Sequence, residues 1–204
     1  MRKSLGALCI LLGVACLLAS VAFIAYNRLE EKSAGNASLE LLQDVQEEIN
    51  AFSGEESLYA EETADVEDTI PEMPIGKVNG YDCIGVLSIP VLDIELPVLS
   101  DWDNEKLKVA PCKYFGSYYE ADFVIAAHNY RSHFGKLSQL QSGDLVLFTD
   151  VTGELHCYEV VLLETLPGDA TEEMITSGFD LSLYTCTTGG RSRVTVRCNS
   201  ISDK

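Results

Sequence analysis

The stretch LYTCTTGGRSRVTVRC (residues 183–198) holds the end of one apolar run, a loop with two adjacent glycines, and the start of a second run. Side chains of a strand alternate between its two faces. In DLSLYTC (180–186), Leu181 and Leu183 share one face while Ser182, Tyr184 and Cys186 share the other. In RVTVRCN (193–199), Val194, Val196 and Cys198 oppose Arg193, Thr195 and Arg197. With the leucines and valines turned to a core, Cys186 and Arg193 both point away from it. The loop 187–192 is short enough to close an antiparallel hairpin, whose paired residues lie about 5 Å apart. At about 3.3 Å per residue, Arg197 would be on the order of 13 Å further along. Arg191 lies in the loop, so Arg193 is the cation expected beside the thiol.

A thiol at a strand end, beside a cation and open to a cleft, has surroundings that favour thiolate. Cys83 and Cys198 read instead as buried, inert cysteines. A cysteine nucleophile needs a base or cationic partner. Of the three histidines, His128 ends the apolar strand DFVIAAHN (122–129) and enters a polar loop, which puts an imidazole at a sheet rim. His133 opens the next helical stretch, and His156 sits within a strand as a solvent-facing or locally satisfied residue.

Outward from this hairpin, residues 81–204 are mostly β in pattern. Strand-like runs are 83–90, 93–99, 122–129, 144–150, 155–164, 180–186 and 193–199, with glycine- and proline-bearing turns between several. Helical stretches are short, 132–140 and 170–178, the second with acids near its start where the helix dipole favours them. So many short strands in one domain indicate a barrel or sandwich.

The N-terminus is of another kind. No charge occurs from Ser4 to Tyr26, a run longer than the roughly 20 residues that cross a bilayer as a helix. Arg2 and Lys3 precede it, so the positive-inside rule puts residues 1–26 as a cytoplasmic tip and uncleaved signal-anchor, with the remainder extracytoplasmic. Residues 27–80 carry 14 acidic against three basic residues and read as an acidic stalk and linker, TIPEMPIGKVNG (69–80) forming its end. Within it, Leu41, Val45, Ile49 and Phe52 make a helical stripe over 37–52 that fits the face of the domain. A net charge of −18 argues against nucleic acid as a partner. Of seven cysteines, five follow the apolar run, without a Cys-x-x-Cys pair. That odd, scattered set fits neither a zinc site nor a disulfide scaffold.

Taken together these residues resemble a sortase, a cysteine transpeptidase that attaches proteins to the cell wall of Gram-positive bacteria. SLYTC (182–186) is similar to the family's T-L-x-T-C strand end, with Ser182 where Thr is usual. RVTV (193–196) supplies the arginine strand and AAHNYRSHFGKL (126–137) the histidine segment. The resemblance spans about 80–201 and implies a mainly β fold, a closed eight-stranded sortase-type barrel with short helices over 81–204, preceded by one transmembrane helix. It implies Cys186 as nucleophile, His128 as general acid/base, Arg193 as stabiliser of the oxyanion and substrate, and Thr185 at a substrate-contacting position. The partners it implies are secreted proteins with a C-terminal sorting motif, an amine of a cell-wall peptide, and the membrane; it implies no cofactor. Some sortases use calcium, and Asp101, Asp103 and Glu105 are the acids that could cluster, although surface acids of so acidic a chain are commonly plain solvated charge.

HNYRSHFGKL and GGRSRVTVRC look most like class B sortases. A pilin-polymerising class C enzyme often carries a second apolar segment and a lid motif, and this sequence has neither. The alternatives are that pilin-type activity and a catalytically degenerate, membrane-tethered binding module. Residues 165–180, before the Cys186 strand, are expected to line the substrate groove.

Overall fold

In this computed structural model, residues 2–55 and 71–201 are described, with side chains from 10–52 and 71–201. The acidic stretch 56–70 and the side chains of Arg2 and Lys3 therefore lie outside the described residues. Among the described residues nine strands form the sheet: β1 (Gly76–Val78), β2 (Tyr81–Ile89), β3 (Ile94–Leu99), β4 (Cys112–Phe115), β5 (Phe123–Ala126), β6 (Leu145–Asp150), β7 (Leu155–Pro167), β8 (Leu181–Cys186) and β9 (Ser192–Ser200). Their order is β1-β2-β3-β4-β5-β8-β9-β7-β6, and β6 pairs back onto β2. The result is a closed eight-stranded mixed barrel with β1 as an extra strand. The β3–β4 and β5–β8 pairs are parallel, the others antiparallel. Closure depends on Gly85, at the register shift in β2, where a Cβ would sit 2.1 Å from the Thr149 carbonyl oxygen. Any side chain there would push β2 off β6.

The barrel interior is filled by apolar residues that alternate along the strands, among them Leu87, Phe123, Ile125, Phe148, Leu183 and Val196. β4 and β1 had no strand signal in the sequence. β4 is short, carries Lys113 and lies between Pro111 and Gly116. β1 lies inside the stretch read as linker. The stretch 132–140 yields only a 3-10 turn at Leu137–Gln139, and 170–178 yields the short helix Thr171–Ile175, numbered α2 after the N-terminal helix.

That N-terminal helix, α1 (Arg2–Glu55), continues unbroken past the apolar run. Its first part exposes Ile10, Leu11, Leu17, Leu18 and Phe23 and is long and apolar enough to cross a membrane. Further on, Leu41, Leu42 and Val45 are buried against Val78, Cys83, Val86, Leu99 and Cys112 on the outside of β1–β4. Each such side chain contributes about 1.5–3 kcal/mol on burial. Of the stripe named from sequence, Ile49 packs at the edge of this cluster and Phe52 is exposed. Gln46 donates to Glu95 at 2.8 Å, and the Asn79 amide bonds Asp44. This part of α1 is thus packed on the barrel.

A buried polar seam lies at the same interface. Ala34 and Ser38 of α1 are buried, as is His133 in the loop after β5. Burial pushes the His133 imidazole down to about 4, aided by His128 and opposed by the Ala34 carbonyl. A histidine depressed in the folded state from its ordinary value near 6.5 gives stability that is complete above pH 6.5 and lost as pH falls toward 4. We expect urea midpoints measured across that window to lose on the order of 3 kcal/mol of stability, and a His133→Gln variant to show a flatter profile. An equally steep profile in the variant would assign the loss to other groups.

Candidate active site

β5 and β8 run side by side and in parallel, so their C-terminal ends emerge together. Ala126 lies opposite Tyr184, and the Ala127 N–H donates to the Tyr184 carbonyl at 3.2 Å. His128 and Cys186 therefore leave the barrel at the same rim. β8 and β9 are antiparallel, with Cys186 directly opposite Arg193. All three residues line one hollow of about 260 Å³. One wall is aromatic: Trp102, Tyr114 and Tyr184 are in sequential contact, with ring centroids 5.5 and 5.3 Å apart. The other wall comes from Pro167–Met174, the connection from β7 through α2.

Cys186 is a half-buried free thiol. Cys83, Cys112 and Cys198 are fully buried, and burial raises each thiol to about 12. Those three are inert at neutral pH. Cys198 faces the barrel core, away from the hollow, as the alternation required. Burial lowers the His128 imidazole below its ordinary range; Glu30 opposes this and Lys108 adds to it. The His128 loop folds back through Phe134 N–H to the His128 carbonyl (3.1 Å) and Gly135 N–H to the Tyr130 carbonyl (2.8 Å). Gly135 permits this, since a Cβ there would meet the Asn129 and Tyr130 carbonyls at 2.6 and 2.7 Å. Arg193 is held at Nη1 by the Gly190 and Ser192 carbonyls, at 3.0 and 3.2 Å.

Thr185 points inward and is buried; its hydroxyl donates to the Ala127 carbonyl at 2.8 Å, tying the two strand ends together. It also lines a second hollow, on the far side of Cys186, with Asn129 and Thr187. Beyond its Cys186–Arg193 end, the face of β8–β9 turned from the core is closed. Ser182, Thr195 and Arg197 are buried there, because the connection 167–180 roofs it. Arg197, set aside from sequence as too distant from the thiol, is 2% exposed and bonds Ser182, Glu164 and the Glu173 and Met174 carbonyls. Asp122 holds the same connection by accepting from Ser177 and Gly178.

The acids considered for calcium are engaged in local structure. Asp103 accepts from the Glu105 and Lys106 N–H groups, Asp101 pairs with Lys106, and Glu105 with Lys108. Among the described residues, only Asp150, Glu154 and His156 bring three ligand-type atoms within 4.8 Å of one another. Asp150 there already accepts from Tyr118, Thr152 and the Glu154 N–H, which makes it a clamp on the β6–β7 turn. The adjoining hollow, about 370 Å³, is lined by His156 but by none of Cys186, His128 and Arg193.

The family model described as the sortase domain matches residues 87–201. The chain belongs to the sortase family. This sortase is similar in fold to a sortase D5 transpeptidase of Clostridium perfringens, at 17% identity over 82% of this chain and 99% of that one, with a TM-score of 0.59. It is similar to sortase C of Clostridium perfringens SM101, at 20% identity over 80% and 91%, TM-score 0.53. It is also similar to sortase A of Corynebacterium diphtheriae, at 17% identity over 89% and 96%, TM-score 0.53. These three carry class D, C and A names, and the class B likeness of the sequence is not among them. No curated protein matches the chain. Family membership supports cysteine transpeptidase activity in general.

Proposed function

We propose that this sortase is held in the membrane by the apolar part of α1, N-terminus inside, with the barrel as an extracytoplasmic catalytic domain. There it cleaves a C-terminal sorting motif of secreted proteins and transfers them to an amino group of the cell wall. The observation that carries the reading is the strand pairing that sets Arg193 opposite Cys186, at a hollow which His128 also lines.

The Cys186 thiolate attacks the backbone carbonyl of the motif, and the developing O⁻ receives hydrogen bonds from the Arg193 guanidinium. The C–N bond breaks as protonated His128 delivers its proton to the leaving amine, giving a thioester on Cys186. The acceptor amine then attacks that thioester. The amine nitrogen gives up a proton to His128, the C–S bond breaks to leave the new amide, and Cys186 returns to thiolate. Burial, by holding the imidazole below its ordinary range, makes its protonated form a readier acid toward the leaving amine. Thr185 acts on the substrate from the second hollow beside Cys186, its hydroxyl remaining on the Ala127 carbonyl.

The test uses the full chain in detergent with quenched LPxTG-like and NPxTN-like peptides, with and without an amine. The expected result is cleavage of one motif, a mass adduct on Cys186, and a ligated product when the amine is present. Silence across the panel, with Cys186 also unreactive toward a methanethiosulfonate, would overturn the reading.

A further inference from the structure

The His128 loop has a fixed base and a less obviously fixed crown. Up to Ala127 it is tied to β8 through Tyr184 and Thr185. Beyond His128 it leaves the sheet, and the group that meets it comes from 100 positions away. The Glu31 carboxylate on α1 accepts the Arg131 backbone N–H at 2.7 Å. One helical turn on, Gly35 brings α1 so close that a Cβ would lie 3.1 Å from the Ser132 Cβ. Ala34, Ser38 and His133 are buried in the same contact. The rings of His128, Tyr130 and His133 are in sequence, with centroids 4.9 and 5.5 Å apart, so displacement of the loop crown is passed to the His128 ring. Between this part of α1 and the loop lies a hollow of about 520 Å³ lined by Glu30, Glu31, His128 and Tyr130.

We propose that the segment of α1 just beyond the apolar run is a working part of the active site, with Glu31 as the positioning residue for the His128 loop. This rests on the reading of His128 as the acid/base. Tyr26 is only five residues before Glu31, about 7.5 Å along a helix, so the anchor and the acid/base form one mechanical unit. The other charged or titratable groups around His128 here are Arg28, Glu30, Lys108, Tyr130, Arg131 and His133. Their charges do not change in a Glu31 variant.

The experiment uses the full chain in detergent and compares Glu31→Ala, which removes the acceptor, with Glu31→Gln, whose amide oxygen can still accept. Three quantities are read: amide exchange at Arg131, kcat and KM for a cleaved peptide, and the pH profile of Cys186 alkylation by iodoacetamide. For Glu31→Ala we expect at least tenfold faster Arg131 exchange, a five- to twentyfold fall in kcat with KM within twofold, and a displaced alkylation profile. Glu31→Gln should stay within about threefold of the parent in all of them. Faster Arg131 exchange with unchanged kcat and an unchanged alkylation profile would overturn the proposal, as would equal losses in both variants. Should the parent cleave no peptide, the transpeptidase reading is what fails. The alkylation profile then decides the positioning role: a displaced profile in Glu31→Ala supports it, and an unchanged one overturns it.

Discussion

Replacing Cys186 by alanine is expected to lower peptide cleavage at least about 10⁴-fold, with Arg193→Lys costing about 10²-fold in kcat and little in stability. The first number follows from chemistry, because no thioester forms without the thiolate. No other described cysteine on the barrel replaces it: Cys83, Cys112 and Cys198 are fully buried, and Cys157 lies at the hollow beside Tyr118 and His156. The second follows from shape. Arg193 sits opposite the thiol with Nη1 already bound to the Gly190 and Ser192 carbonyls. A guanidinium is a planar fork that can keep those bonds and still donate to an oxyanion, whereas an ammonium on a flexible stem is a single point donor. Losing one oxyanion donor typically costs 10²–10³ in kcat. Peptide cleavage checks Cys186→Ala, and single-turnover acylation, followed by mass on Cys186, checks Arg193→Lys. An Arg193→Lys enzyme that acylates within threefold of the parent would remove Arg193 from the oxyanion role.

The rim was legible because its determinants are local. Alternation in DLSLYTC and RVTVRCN set Cys186 against Arg193, and the end of an apolar run set His128 at an edge. The parallel pairing of β5 with β8 joins residues about 60 positions apart, and no local pattern announces it. The groove walls were missed for a similar reason. Trp102 and Tyr114 become a wall only when β4 docks beside β5, and β4 itself is a short strand between a proline and a glycine. The acidic composition of 27–80 argued for a stalk, because charge density is a sum over a segment. Packing depends on one face, and Leu41, Leu42 and Val45 lie on that face. Arg197 was placed by alternation on the side away from the core, which was right, but alternation cannot say whether that side is roofed.

Replacing Arg197 by methionine is expected to cost about 3–5 kcal/mol of stability, the range for removing one partner of a buried charged network. Its guanidinium is 2% exposed and donates to Glu164 at 2.8 Å, Ser182 at 2.8 Å, the Glu173 carbonyl at 2.7 Å and the Met174 carbonyl at 3.4 Å. Methionine fills similar volume but leaves the Ser182 hydroxyl and two carbonyls without a donor, and each such group costs about 1–3 kcal/mol when buried. Glu164 is different. Its side chain is 31% exposed, and in Glu164→Gln the amide oxygen can still accept from Arg197 Nε, so that variant should cost about 1–2 kcal/mol, less than Arg197→Met. The two variants separate the explanations. If the ion pair were the main contribution, both midpoints in urea would fall together; if the clamp on α2 is, only Arg197→Met falls far. The same clamp holds Met174 in the groove wall, so at a temperature where Arg197→Met remains folded its KM for a sorting peptide should rise. Glu164→Gln should leave KM unchanged. A loss of stability in Arg197→Met below about 1 kcal/mol would mean that the α2 connection is held by Asp122 and its own packing, with Arg197 an incidental occupant of the space beneath it.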